Sequence, residues 1–207
     1  AEAALLTSSG YHLHRIENFV VEAPLGLPRG MPITARITAL VCGQDAGQRT
    51  VLVEARTSLP AKLARLGGER LHHGARAILA SRPPDSLGML EYPRRTEVLR
   101  ATSFYESIRD EVHLGRLFFN ARWIQLSDEE VIGVIEPPEE RSMFSDVSVP
   151  RLVLHPLVVD SALQIAGSWD GYLNGFVSVP IGIEAIVFGR QLLPSERTRV
   201  LARVLRI

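Results

Sequence analysis

The sequence contains one cysteine, Cys42, and one lysine, Lys62. A lone cysteine cannot close an internal disulfide, and no Cys/His cluster has the spacing of a zinc site. A reducing, cytoplasmic setting follows as the expectation. Charge of either sign is not in excess: 23 basic residues balance 23 acidic ones. That balance argues against nucleic acid or an anionic membrane as the main partner. Arg94-Arg95 is a pair, not a basic patch. The near-exclusive use of arginine reflects GC-rich coding rather than phosphate recognition. No apolar run reaches the roughly 18 residues that a membrane span needs. The opening AEAALLTSSG lacks the basic region and apolar core of a signal peptide. It also lacks an initiator Met, so the natural polypeptide is expected to extend past Ala1.

Other familiar chemistry is missing too. Gly67-Gly68 has no following Lys-Ser/Thr, so it is no phosphate loop. Ser8-Ser9-Gly10 and Ser127-Asp128 read as helix-stop and turn chemistry, not as nucleophile sites. His72-His73 reads as a turn or a solvated strand end rather than a metal pair.

What is present is a chain of 207 residues, 46% hydrophobic, enough for one large domain or two fused small ones. Ala1 to Leu6 reads as the end of a helix, stopped at Gly10. Alternation then predicts strands over His14 to Val21, Ile33 to Val41, Thr50 to Ser58 and Arg76 to Ala80, punctuated by Pro24, Pro28, Pro32 and CGQDAGQ. Residues 81–95, rich in Pro and turn formers, read as a linker. Ser103 to Arg109 predicts a short helix, capped by Thr102 or Ser103. Strands follow at 119–126 and 130–136, and then a Pro/Glu-rich loop. A helix is predicted from Pro156 to about Trp169, with two closing strands near 177–188 and 198–206.

An internal repeat organises this pattern. IENFVVEAPLGLP starts at Ile16, and IEAIVFGRQLLP starts at Ile183. Both read I-E-x-apolar-V-apolar and reach Leu-Pro a few residues later. The repeat implies a duplicated unit, each half a helix followed by strands. By the same offset, the counterpart of Asp160 would fall before residue 1.

The helix after His155 carries the chemistry. Pro156 suits a first helical turn, where its missing N–H would be unpaired anyway. Asp160 and Gln164 are then i and i+4, one above the other on one face. Leu157, Val158, Val159, Ala162, Leu163, Ile165 and Ala166 surround them, a composition normal for a helix buried on most sides. Burial would keep the Asp160 carboxyl protonated and able to donate a proton, with Gln164 fixing its orientation. The residues alone leave a second reading open. Asp160 could be a first-turn acid with one edge in water, favoured in its charged form by the helix dipole.

The segment LHPLVVDSALQ resembles the H-P-x-L-x-D-x-x-x-Q motif of dehydratase domains from modular polyketide synthases and related fatty-acid synthases. The resemblance covers nearly the whole chain in order. It implies an α+β double hotdog, two curved antiparallel sheets each wrapped round a central helix. Residues 1–80 would form a first unit lacking its opening strand and helix start, residues 81–101 a linker, and residues 102–207 the second unit. It also implies removal of water from a 3-hydroxyacyl thioester to give a trans-2-enoyl thioester. Asp160 would be the acid and Gln164 its support, while His155 and Pro156 shape the entry to the helix. Phe119, Asn120 and Trp123 would line the substrate pocket, with Pro180 preceding a strand beside it. No metal or redox cofactor is implied, because the thioester activates the carbon acid, and the substrate would arrive on the phosphopantetheine arm of an acyl carrier protein. That carrier, neighbouring synthase domains and a second copy in a homodimer are the implied partners.

Two departures qualify the resemblance. The family's catalytic base sits in H-x-x-x-G-x-x-x-x-P, and no histidine here fits. His12 is followed at the fourth place by Ile16, His14 by Asn18, His73 by Ala77 and His113 by Leu117. The base is expected upstream of Ala1. The second departure is Phe119-Asn120-Ala121-Arg122-Trp123, where the family usually has Y-G-P-x-F. These departures keep two alternatives in view: a pseudo-dehydratase serving dimer contacts or carrier docking, and a product-template-like cyclase.

Overall fold

The computed structural model describes residues 2–23, 34–58, 69–85, 97–107, 118–127, 130–137, 155–175, 178, 180–189 and 198–203. The expected Pro/Glu-rich loop, part of the expected linker and the ends of several predicted elements lie outside them. The described elements are helices α1 (Glu2–Leu6), α2 (Ala101–Ser107) and α3 (Pro156–Asn174) and nine strands. The strands are β1 (His12–Val21), β2 (Ala35–Asp45), β3 (Gln48–Ser58), β4 (Glu69–Ala80), β5 (Glu97–Arg100), β6 (Ala121–Leu126), β7 (Glu130–Ile135), β8 (Gly182–Val187) and β9 (Thr198–Arg203). Among these residues, no helix is long and apolar enough to cross a membrane.

Two compact units result. Ala1–Leu87 with Ile181–Arg190 forms the first, and Gly88–Pro180 with Gln191–Ile207 the second. The first carries the sheet β2-β3-β4-β1-β8 and the second the sheet β5-β6-β7-β9. Chain order had put residues 181–190 with the second unit. Strand pairing groups them with the first, because β8 lies antiparallel against β1. This is where the repeat becomes structural. Ile16 pairs with Ile186 and Phe19 with Ile183, so the first position of each copy meets the fourth of the other. The two copies are adjacent strands related by a local pseudo-twofold. A bulge in β1 falls at Asn18, whose φ of +50° is one that asparagine tolerates.

In the second unit, β7 reads EVIGVI, and Val131 to Ile135 are all buried. An apolar run without alternation is what a central strand covered on both faces requires. Helix α3 lies against this sheet with Leu157, Ser161, Ile165 and Ser168 buried. Those positions recur at helical spacing, so one stripe faces the strands. Ile165 joins Ala121, Ile124, Leu126, Val131 and Ile135 in a single core cluster. The indole of Trp169 donates to the Ser127 carbonyl at 3.0 Å, tying the helix to the β6–β7 turn.

Several elements differ from expectation, each for a local reason. CGQDAGQ punctuates the strands at only two residues: β2 runs on to Asp45, and the chain turns at Ala46-Gly47 into β3. β5 went unpredicted because its four residues are too short to display alternation. β4 begins at Glu69 rather than Arg76, so His72 and His73 are mid-strand. His72 is no solvated strand end. It is 4% exposed, with Nε2 at 2.7 Å from the Thr57 hydroxyl and Nδ1 at 3.2 Å from the Ala23 carbonyl. A carbonyl only accepts, so Nδ1 donates to Ala23. α3 continues past Trp169 to Asn174, where Gly175 ends it at φ +72°, its N–H donating to the Gly171 carbonyl.

Candidate active site

The site is built on the first three turns of α3. His155 is the N-cap, extended at φ −70° and ψ 112°, and Pro156 opens the helix. The His155 carbonyl accepts the N–H groups of Val158 and Val159. His155 therefore shapes the helix start through its backbone. The first turn of α3 holds no acidic residue. Asp160 stands beyond it, which removes the first-turn reading and most of the dipole's pull toward the charged form.

Asp160 and Gln164 meet as their spacing dictates. Gln164 Nε2 donates to Asp160 Oδ2 at 2.5 Å. The carboxyl is half-buried rather than enclosed. Burial raises its pKa above the ordinary carboxyl value, and the Gln164 bond opposes that rise without cancelling it. Gln164 Oε1 is buried and has no hydrogen-bond partner among the described residues. A turned amide would present that acceptor to the protonated carboxyl, so the pair suits both protonation states of the acid.

Phe119 is 41% exposed and stacks on Tyr105, with centroids 4.6 Å apart and planes at 26°. Asn120 is buried, and its carbonyl accepts the Glu136 N–H at 2.9 Å. Trp123 lies half-buried on β6, paired with Arg100 and Val134. Pro180 is exposed on the approach to β8. Among the described residues, no hydrogen bond or ring contact joins Trp123 or Pro180 to the Asp160 carboxyl. Tyr105 belongs to none of the sequence motifs. Its phenol oxygen accepts the Ala121 N–H at 3.1 Å, and Asp160 lies near enough to act on it electrostatically. The available signal was the Phe104-Tyr105 aromatic pair on a predicted short helix, which reads as ordinary core.

The raised pKa of Asp160 has a consequence for stability. A carboxyl whose pKa is higher folded than unfolded binds its proton more tightly in the native state. Its contribution is intact below the unfolded value of about 3.9 and is lost as pH rises through the folded value. Asp160→Asn removes the titration. Thermal melts are expected to show the variant at least as stable as the parent at pH 7. The difference should move toward the parent as pH falls through the raised folded value and level off below about 4. A variant that loses ground as pH rises would contradict the assigned direction.

The model of the polyketide synthase dehydratase N-terminal domain matches residues 91–205. No curated protein matches the chain. Among solved structures, the dehydratase domain from the CurF module of curacin polyketide synthase aligns with a TM-score of 0.73 at 16% identity, covering 98% of this chain and 69% of that one. The dehydratase domain from the CurK module of the same synthase aligns at 0.70 and 16%, covering 96% and 66%. A trans-acyltransferase polyketide synthase enoyl-isomerase aligns at 0.62 and 15%, covering 99% and 73%. The chain thus spans about two thirds of the length of the two curacin domains. At these identities the likeness is one of fold, and that fold is the double hotdog.

Proposed function

This chain belongs to the polyketide synthase dehydratase family, and from that premise we propose that it dehydrates a 3-hydroxyacyl thioester carried on acyl carrier protein to the trans-2-enoyl thioester. The observation that carries the proposal is the Asp160–Gln164 pair, a carboxyl kept toward its protonated form by burial and held by an amide. A base removes the α-proton, which the thioester makes acidic. The electron pair forms the α–β double bond as the β-carbon–oxygen bond breaks. Asp160 gives its proton to the departing hydroxyl, which leaves as water, and Asp160 remains as carboxylate. The proton on the base returns to Asp160 through solvent, so the cycle closes without a redox step.

The reading requires a base from outside these 207 residues, since no histidine here has the family's spacing. A carrier protein, adjoining synthase domains and a second copy of the chain are its proposed partners, in a cytoplasmic setting. The same missing motif and the Asn120-Ala121 departure favour a second reading, a pseudo-dehydratase that docks a carrier and does no chemistry. Mass spectrometry of a 3-hydroxyacyl carrier protein incubated with the full-length polypeptide separates them. Loss of one water with an enoyl chromophore supports the dehydratase. Carrier binding with unchanged substrate supports the second reading, and ring closure would point to a cyclase.

A further inference from the structure

Two buried side-chain atoms of α3, Ser161 Oγ and Gln164 Oε1, have no hydrogen-bond partner among the described residues. Ser161 is 0% exposed, on the stripe that faces the sheet. A hydroxyl so deeply buried is normally hydrogen-bonded. The other buried serine of that stripe supplies the contrast. Ser168 donates to the Ile165 carbonyl, three residues back, at 2.6 Å. A bond to the backbone of the preceding turn is the usual resort of a helical serine. Ser161 makes none.

Among the described residues, the sheet offers that hydroxyl nothing in exchange. The core cluster around Ile165 consists of Ala121, Ile124, Leu126, Val131 and Ile135, all apolar. The backbone of β7 is engaged on both sides, by β6 and by β9. The remaining polar neighbour is on the helix itself. Gln164 follows Ser161 by three residues, a spacing that puts the two Cβ atoms about 5–6 Å apart on one side of a helix. A hydroxyl donates and an amide oxygen accepts. The two unpaired atoms are thus complementary, and a side-chain rotation or one bridging water joins them. Gln164 matters because its Nε2 donates to Asp160 Oδ2. The amide by itself could turn end for end and suit either protonation state of the acid. A donor on Oε1 removes that freedom.

We propose that Ser161 is a positioning residue: its hydroxyl bonds Gln164 Oε1, directly or through one water, and holds the amide with Nε2 toward Asp160. This rests on the dehydratase reading above and deepens it. With Oδ2 accepting from Nε2, the carboxyl proton is confined to Oδ1, the oxygen that Gln164 leaves free. Ser161 thereby decides which oxygen gives the proton to the departing hydroxyl. Burial and the Gln164 bond set the Asp160 pKa in opposite directions, and no charged group of β6, β7 or β9 is among its causes. The Tyr105 phenol of α2 is a titratable group that feels the Asp160 charge. Release of the amide would let Oε1 accept from the protonated carboxyl and so favour that form.

The test uses the full-length polypeptide and steady-state dehydration across pH. Ser161→Ala removes the hydroxyl and little volume. The expected result is a fall in kcat of up to about tenfold, the worth of one hydrogen bond, with KM unchanged. The alkaline limb of the kcat profile should also move to higher pH, because a turned amide accepts from the acid instead of donating to the carboxylate. In a Gln164→Met background, which has no amide to hold, Ser161→Ala should change neither kcat nor the limb. A lower melting temperature with an unmoved limb would give Ser161 a structural role and overturn the proposal. An equal shift in both backgrounds overturns it too. Should Ser161→Ala fail to fold, Ser161→Cys, close in shape but a weaker donor, takes its place, and an unmoved limb there overturns the proposal. Asp160→Asn is run alongside. If it keeps the parental rate, the dehydratase reading itself fails, whereas its inactivity beside an unaffected Ser161→Ala fails only the role given to Ser161.

Discussion

Asp160→Asn is expected to lower kcat for dehydration of a 3-hydroxyacyl carrier protein by about 10²–10⁴-fold, the usual range for a lost general acid. The substitution is nearly isosteric. The side-chain oxygen of asparagine can still accept the Gln164 Nε2 bond that Asp160 Oδ2 accepts now at 2.5 Å. The helix loses no packing, and removing a half-buried titrating group does not weaken the fold at neutral pH. What disappears is the titratable proton that burial helps the carboxyl to keep. KM should change little, because the acid acts on the departing hydroxyl only as the bond breaks. The parental alkaline limb should vanish with it, since nothing at position 160 titrates in the variant. A variant that dehydrates at the parental rate would remove Asp160 from the acid role.

The second large effect concerns what holds that carboxyl in place. Ile165 is 0% exposed and seats in the space left by Gly133 on β7. A Cβ at position 133 would collide with Ile165 Cδ1 and come within 2.9 Å of its Cγ1. The helix approaches the strand this closely because a glycine faces it. Ile165→Ala should cost about 2–5 kcal/mol, the range for truncating a buried aliphatic side chain. Gly133→Ala should cost about 1–3 kcal/mol by overpacking, because the Ile165 side chain must shift to make room. The double variant should cost clearly less than the two together, because the new methyl occupies part of the vacated space. Denaturant unfolding of all four proteins measures the coupling. Strict additivity would show that the two positions do not share one contact. Because Asp160 lies within two turns of Ile165, the destabilised variants should also lose activity at temperatures below their melting midpoints.

The contact between Asp160 and Gln164 was legible because it is local. Pro156 marks a helix start, and a four-residue spacing then puts Asp160 under Gln164 whatever the rest of the chain does. The strands with clear alternation were legible for the same reason, as was the unbroken apolar run of β7. The repeat was readable as a repetition, but its consequence was not. That the two copies lie side by side as β1 and β8 is a pairing between residues far apart in the chain, and it moves residues 181–190 into the first unit.

What the amino-acid order determined by itself is the set of short-range relations: which residues share a helix face, where helices begin and stop, and which segments extend. Helical and pleated periods are properties of a few consecutive dihedral angles. Tertiary structure alone decided the surroundings. It buried His72 between Thr57 and Ala23, brought Ile165 against Gly133, and placed Tyr105 where it meets Ala121 and Phe119. Polarity, pKa and hydrogen-bond partnership depend on how far water is excluded and on which group from a distant segment arrives, and no local period encodes either.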